Sequence, residues 1–201
     1  MTEPHVDLHL RRTLLGTAAL LLGSGTGSVA QAHNVSGPVS PPLSVPARTL
    51  RMHDGRPLAA SALLQGRITA LQLMFTGCSA ICPIQGALFA ELDRRVSASP
   101  ALAGDVQLLS LSIDPLGDDP KALSAWLKRF DAGPRWKAAS PPVPELDAWL
   151  DFLQGRRAGP DRHTAQVYLF DRKSRLVLRT VDYPTTAELT RLLGELATSG
   201  A

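Results

Sequence analysis

Two near-continuous apolar runs constrain this chain most: residues 68–75 (ITALQLMF) and 106–113 (VQLLSLSI). Strict alternation would mark a strand with one wet face. Runs without it mark strands covered on both faces, as in a parallel sheet. Each run is followed by a helical signal. Residues 83–96 set Ile84, Leu88, Leu92 and Val96 at steps of four, which predicts an amphipathic helix with that stripe on the core. Asp119-Pro120 caps and opens a helix through Phe130. Further on, residues 136–139 read as a short strand and 144–153 as a helix. Residues 165–170 and 176–180 read as a hairpin, and 185–197 as a closing helix. Upstream, 49–58 alternates around Asp54-Gly55, a hairpin signal, and 59–65 is a short helical turn ending at Gly66. The order of elements predicts an α/β domain: a central, mixed and mainly parallel sheet flanked by helices on both faces, with an N-terminal β-hairpin.

Composition removes several alternatives. The chain has 201 residues, 44% of them apolar and 19% charged, which is ordinary globular material. Its net charge is +3, and basic residues occur at most in adjacent pairs such as Arg156-Arg157, so a nucleic-acid partner is not expected. The two cysteines, Cys78 and Cys82, cannot make a disulfide framework or fill a four-thiolate zinc site alone.

The N-terminus reads as an address. Arg11-Arg12 precedes a Gly/Ala-rich apolar run of about 17 residues, short of the ~20 that span a bilayer, and Ala30-Gln31-Ala32 is a small-residue cleavage pattern. The adjacent arginines resemble a twin-arginine export signal over residues 1–32. The expected location is periplasmic, across the bacterial inner membrane, with any membrane attachment made by an uncleaved signal or through a client. Residues 33–47, with Pro38, Pro41, Pro42 and Pro46, read as a Pro-rich tether, and 48–199 as the domain. Cleavage after Ala32 leaves His33, His53 and His163, of which His33 falls on the tail and His53 reads as a surface residue.

The cysteines sit where the first buried strand runs into the following helix, the functional point of a thioredoxin-like arrangement. Backbone N–H groups at a helix start favour negative charge, so the position favours thiolates, which attack disulfides and bind soft metals. Thioredoxin-type redox pairs are C-x-x-C, whereas this is C-x-x-x-C. Helical residues four apart hold their Cβ atoms ~5–6 Å apart, wider than the ~3.5–4.5 Å of a disulfide, though a loop position for Cys78 can close the gap. Two sulfurs in one site select copper(I) or zinc and need a third donor. His163, just before strand 165–170, is the candidate if that strand runs antiparallel to 68–75. Asp114, at the end of the second run, is a candidate outer-shell group, and Met74 reads as core.

Three segments resemble the SCO/SenC family of copper chaperones. They are Phe75-Thr76-Gly77-Cys78-Ser79-Ala80-Ile81-Cys82-Pro83, then Ser112-Ile113-Asp114-Pro115 with Asp118-Asp119-Pro120, then His163 through Asp171. The resemblance implies a thioredoxin-like fold that binds one copper ion, as Cu(I) and also as Cu(II), through Cys78, Cys82 and His163. It implies a role in assembling the dinuclear copper centre of cytochrome c oxidase, with that enzyme's subunit II or another copper-receiving protein as client and other periplasmic copper chaperones as partners; a monomer is the default state. The alternative is a thiol-disulfide oxidoreductase in which Cys78 attacks and Cys82 resolves. The sequence departs from the family pattern at Arg162, where an acid is usual, at Ser174, where a turn glycine is usual, and in a shortened segment 153–162. An atypical thiol peroxidase shares the fold but usually has a Thr three positions before its reactive Cys. Here Thr76 stands two before Cys78 and six before Cys82.

Overall fold

The two apolar runs pair as neighbouring parallel strands in the middle of one sheet. The structure, a computed structural model, describes residues 35–159 and 162–199. The segment read as an export signal, its expected cleavage point and His33 lie outside the described residues. Among the described residues the strands are β1 (Gly37–Ser44), β2 (Thr49–Met52), β3 (Pro57–Ala59), β4 (Ile68–Met74), β5 (Val106–Ser112), β6 (Trp136–Ser140), β7 (Val167–Phe170) and β8 (Arg175–Arg179). The helices are α1 (Ala60–Leu64), α2 (Ile81–Ala98), α3 (Pro100–Ala103), α4 (Pro120–Arg129), α5 (Leu146–Leu153) and α6 (Thr186–Thr198). None of them is long and apolar enough to cross a membrane. The sheet order is β1-β8-β7-β4-β5-β6-β2-β3. β4, β5 and β6 are parallel, whereas β7, β8 and β1 on one side and β2 and β3 on the other join antiparallel. The fold is α/β and thioredoxin-like, with the β2–β3 hairpin at one edge.

Every residue of β4 and β5 is buried, yet their side chains still divide by period two. Ile68, Ala70 and Met74 of β4, Val106 and Leu108 of β5, and Val167 and Leu169 of β7 pack with α2, α4 and α6. Leu71, Leu73, Leu109, Leu111, Tyr168 and Phe170 pack with α1, α5 and Leu50 of the hairpin. Two cores, one on each face, explain why the runs lack alternation of polarity. Asp119 caps α4 as expected, its carboxylate accepting from the Ala122 N–H at 2.7 Å.

Three expectations are corrected. Among the described residues the sheet is mixed but not mainly parallel: two of its seven strand pairs run parallel and five antiparallel, because strands join both edges of the parallel centre in the opposite sense. Ile84 does not face the core; it is 58% exposed. The helix begins at Ile81, before Pro83, and its buried face runs through Cys82, Gln85, Gly86, Phe89, Leu92 and Val96. The segment read as a free tether contains β1, which is extended and mostly exposed but pairs with β8. An edge strand tolerates proline because one side of it has no ladder to complete.

Gly86 belongs to that buried face because Phe130 closes over it. A Cβ at Gly86 would lie 2.2 Å from the Phe130 ring. Gly86→Ala is therefore expected to destabilise the domain by ~1–3 kcal/mol, the cost of overpacking a filled site, despite alanine's better helix propensity. Urea unfolding measures it, and the companion Phe130→Leu should relieve part of the loss.

Candidate metal and thiol site

β4 ends at Met74, and a turn closes immediately: the Cys78 N–H donates to the Phe75 carbonyl at 3.1 Å. α2 starts three residues later, so Cys82 lies in its first turn. The first N–H groups of a helix have no partner inside it. The N-cap residue here, Ala80, has no side-chain acceptor. The Cys78 sulfur takes that role, accepting from the Cys82 N–H at 3.4 Å. Neither cysteine forms a disulfide; Cys78 is 7% exposed and Cys82 0%.

The histidine arrives from the far end of the chain. α5 ends in a left-handed Gln154 (φ 56°). The buried Arg179 side chain donates to the Phe152 and Leu153 carbonyls, two of the carbonyls a helix end leaves open. A narrow hairpin follows, bridged between Arg156 and His163. Asp182 ties both of its limbs: it pairs with Arg157 at 3.0 Å and accepts from the Ala165 N–H at 2.8 Å. β7 then runs antiparallel to β4, as the placement of His163 required.

His163 is fully buried. Its Nδ1 lies 2.8 Å from the Thr164 carbonyl, which can only accept, so Nδ1 carries a proton. Nε2 faces Cys82 Sγ at 3.7 Å. Fixing one ring nitrogen on a backbone carbonyl and aiming the other at a soft donor is how ligating imidazoles are oriented. Phe75 meets the His163 ring edge-on at 6.2 Å, and the Arg162 guanidinium stacks 5.2 Å from the Phe75 centroid. Arg162 thus uses its charge on an aromatic face. Ser174, in the place of the usual turn glycine, adopts φ 60°.

The structure brings Cys82 and His163 into direct apposition and joins Cys78 to them through the Cys82 N–H. Among the described residues, no three His, Cys, Asp or Glu side chains are already gathered into a metal-binding group. The spacing of the two facing donors nonetheless suits one soft ion. With bonds of about 2.3 Å to sulfur and 2.0 Å to nitrogen, an angle near 120° separates the donors by roughly 3.7 Å. Met74 is core, as expected. His53 lies in the β2–β3 turn against the Ala138 carbonyl.

Asp114 closes its own turn, its carboxylate accepting from the Gly117 N–H. The acid that reaches the cysteine loop is Asp118, which is buried and accepts from the Thr76 N–H at 3.1 Å, the Thr76 hydroxyl and the Ser112 hydroxyl. Sequence reasoning passed over Asp118. The available signal was Asp118-Asp119-Pro120 itself: the residue before the proline caps α4, which leaves the other acid for a second task.

Fold and site together define a class: a thioredoxin-like domain with a dithiol at a strand-to-helix junction and a histidine facing it from the loop before an antiparallel strand. Residues 45–137 match the family model described as SCO1/SenC. The matched segment holds both cysteines, Asp114 and Asp118; His163 lies beyond it. A curated relative, the SCO1 protein homolog of Bacillus subtilis (strain 168), is 33% identical over 107 residues, 53% of this chain. That match takes in 47% of the relative, so the chain spans about half its length. Among solved structures, Arabidopsis thaliana ScoI with copper bound superposes with a TM-score of 0.65 at 19% identity, covering 82% of this chain and 99% of that one. BsSco, described with a disulfide switch as a member of the Sco family of cytochrome c oxidase assembly proteins, superposes with a TM-score of 0.68 at 20% identity, covering 82% and 98%.

Proposed function

We propose that this chain is an exported copper(I)-binding metallochaperone that serves assembly of the dinuclear copper centre of cytochrome c oxidase, with Cys78, Cys82 and His163 as its three ligands. The carrying observation is the buried apposition of Cys82 Sγ and His163 Nε2 at 3.7 Å, with the imidazole oriented through Nδ1. Two thiolates and one imidazole form a low-coordinate, sulfur-rich set, which favours copper(I) over harder ions. Cys78 completes the set from the short turn that already sets its sulfur on the Cys82 N–H at 3.4 Å. Copper is cargo here, so the site must both hold and release it. Its nearness to the surface through Cys78, with Cys82 and His163 beneath, suits handover to a client that presents its own thiols. The copper-bound Arabidopsis relative and the assembly role stated for BsSco support the same reading.

Anaerobic titration of reduced protein with copper(I), in competition with a chromogenic chelator, is expected to show one tight equivalent. No tight equivalent would sink the proposal. Export is tested separately, by fractionating cells that make the untagged chain and sequencing the N-terminus of the periplasmic form; cleavage is expected after Ala32.

A second reading, thiol-disulfide exchange on a client, is favoured by one feature. Cys78 is the more exposed of the two cysteines and its sulfur accepts an N–H at a helix start, as an attacking thiolate does. High disulfide-reductase turnover with no dependence on His163 would establish it over the copper reading.

A further inference from the structure

The Cys78 turn is not held by the cysteine segment alone. Residues Phe75 to Cys78 form a β-turn closed by the Cys78 N–H on the Phe75 carbonyl, and Thr76 is its second residue. Both donors that Thr76 offers, its N–H and its hydroxyl, point at one buried carboxylate, Asp118. The same carboxylate accepts from Ser112 at the end of β5, whose Cα partner on β4 is Met74. Asp118 therefore ties the end of one central strand to the turn that leaves its neighbour.

Asp118 is itself presented by a built loop. The Asp118 and Gly117 N–H groups both donate to the Asp114 carbonyl, at 2.8 and 3.1 Å, and the Asp114 N–H donates to the Ser112 hydroxyl at 2.9 Å. A Cβ at Gly117 would sit 2.5 Å from Asp114 Oδ2, so a larger residue there would push the Asp114 carboxylate aside.

We infer that Asp118 is a positioning residue for Cys78: by clamping Thr76 it sets where the Cys78 sulfur stands relative to the Cys82 N–H and the His163 ring. The inference rests on the copper reading only for its metal-binding consequence; its thiol consequence is independent. His163 and Cys82 have their own supports and are outside the clamp, so the effect is selective for one of the two sulfurs.

The test compares wild type with Asp118→Ala, Thr76→Val and Ser112→Ala, each first checked for native circular dichroism and its melting temperature. Thr76→Val keeps the shape of the side chain and removes only one donor, so it serves even if Asp118→Ala fails to fold. Two readouts are taken on the reduced protein: copper(I) affinity by chelator competition, and the second-order rate of Cys78 alkylation by iodoacetamide, located by peptide mass spectrometry. Loss of the clamp is expected to weaken copper(I) binding by ~10–100-fold, the usual cost of removing a group that orients a ligand. Cys78 alkylation should rise several-fold while Cys82 stays protected. Folded variants with wild-type Cys78 alkylation overturn the inference. If wild type binds no copper(I), the metallochaperone proposal fails, and the alkylation rates still decide whether Asp118 positions Cys78.

Discussion

Cys78→Ser and Cys82→Ser are each expected to abolish tight copper(I) binding, and His163→Ala to weaken it by more than ~100-fold. The ranking follows from what each group contributes. A serine hydroxyl is a hard donor that stays protonated at neutral pH, so either serine variant leaves one sulfur and one imidazole, too few soft ligands for the ion. His163→Ala keeps both sulfurs, but it deletes the one nitrogen donor facing Cys82 at 3.7 Å. Removing a group that merely orients a ligand costs ~10–100-fold in affinity; removing the ligand must cost more. The fold around His163 should survive, because Asp182 holds the hairpin through Arg157 and the Ala165 N–H, two bonds made without the imidazole. Chelator competition on all three variants measures the effect. Unchanged affinity in His163→Ala would remove the histidine from the ligand set and favour the thiol-exchange reading.

The central fold was legible because its strands carry their burial in composition. β4 and β5 are apolar almost throughout, and a strand reads that way when both faces have cores to join, as the division of Ile68 and Ala70 from Leu71 and Leu73 bears out. α2 was legible as a helix but not in its rotation. Counting apolar residues points to Ile84, whereas the buried face uses Gln85 and Gly86, and Gly86 earns its place through Phe130, a residue 44 positions away. Such a contact leaves no local periodicity. β1 failed for a related reason: prolines argue against a ladder, but an edge strand needs a ladder on one side only, and which segment lies at an edge is a tertiary fact.

The site divides in the same way. The two cysteines and the histidine were legible because their residue types are rare in this chain and their order along it fits the antiparallel placement of β7. The supporting acid was not. Asp114 and Asp118 lie four residues apart in one loop; Asp114 folds back on the Gly117 N–H while Asp118 turns to Thr76. Choosing between them takes backbone geometry that residue types do not encode.

Raising the pH from about 10 to 12 is expected to cost this domain close to 3 kcal/mol through one tyrosine. Tyr168 is fully buried on β7, and burial pushes its hydroxyl from 10.0 up to about 12. The unfolded chain releases this proton near 10, while the folded protein keeps it until about 12. Folding is therefore favoured in full below about pH 10, and the advantage drains away as pH rises through 12, at ~1.4 kcal/mol per pH unit across that two-unit window. The consequence reaches the candidate site. The Tyr168 hydroxyl bonds Thr164 Oγ1 at 2.7 Å, and the Thr164 carbonyl accepts from His163 Nδ1. A Cβ at Gly155 would lie 3.0 Å from the same hydroxyl, so the backbone of the histidine hairpin rests directly on it. Tyr168→Phe keeps the ring and removes the ionising group. It should cost ~1–3 kcal/mol at neutral pH, because the Thr164 hydroxyl is left buried without its partner. Between pH 10 and 12 the variant should then lose less stability than wild type by about the amount that Tyr168 supplies. Other groups titrate in that range in both proteins, so the difference between the two urea-unfolding curves isolates Tyr168. Parallel alkaline limbs would show that its burial has no influence on alkaline stability.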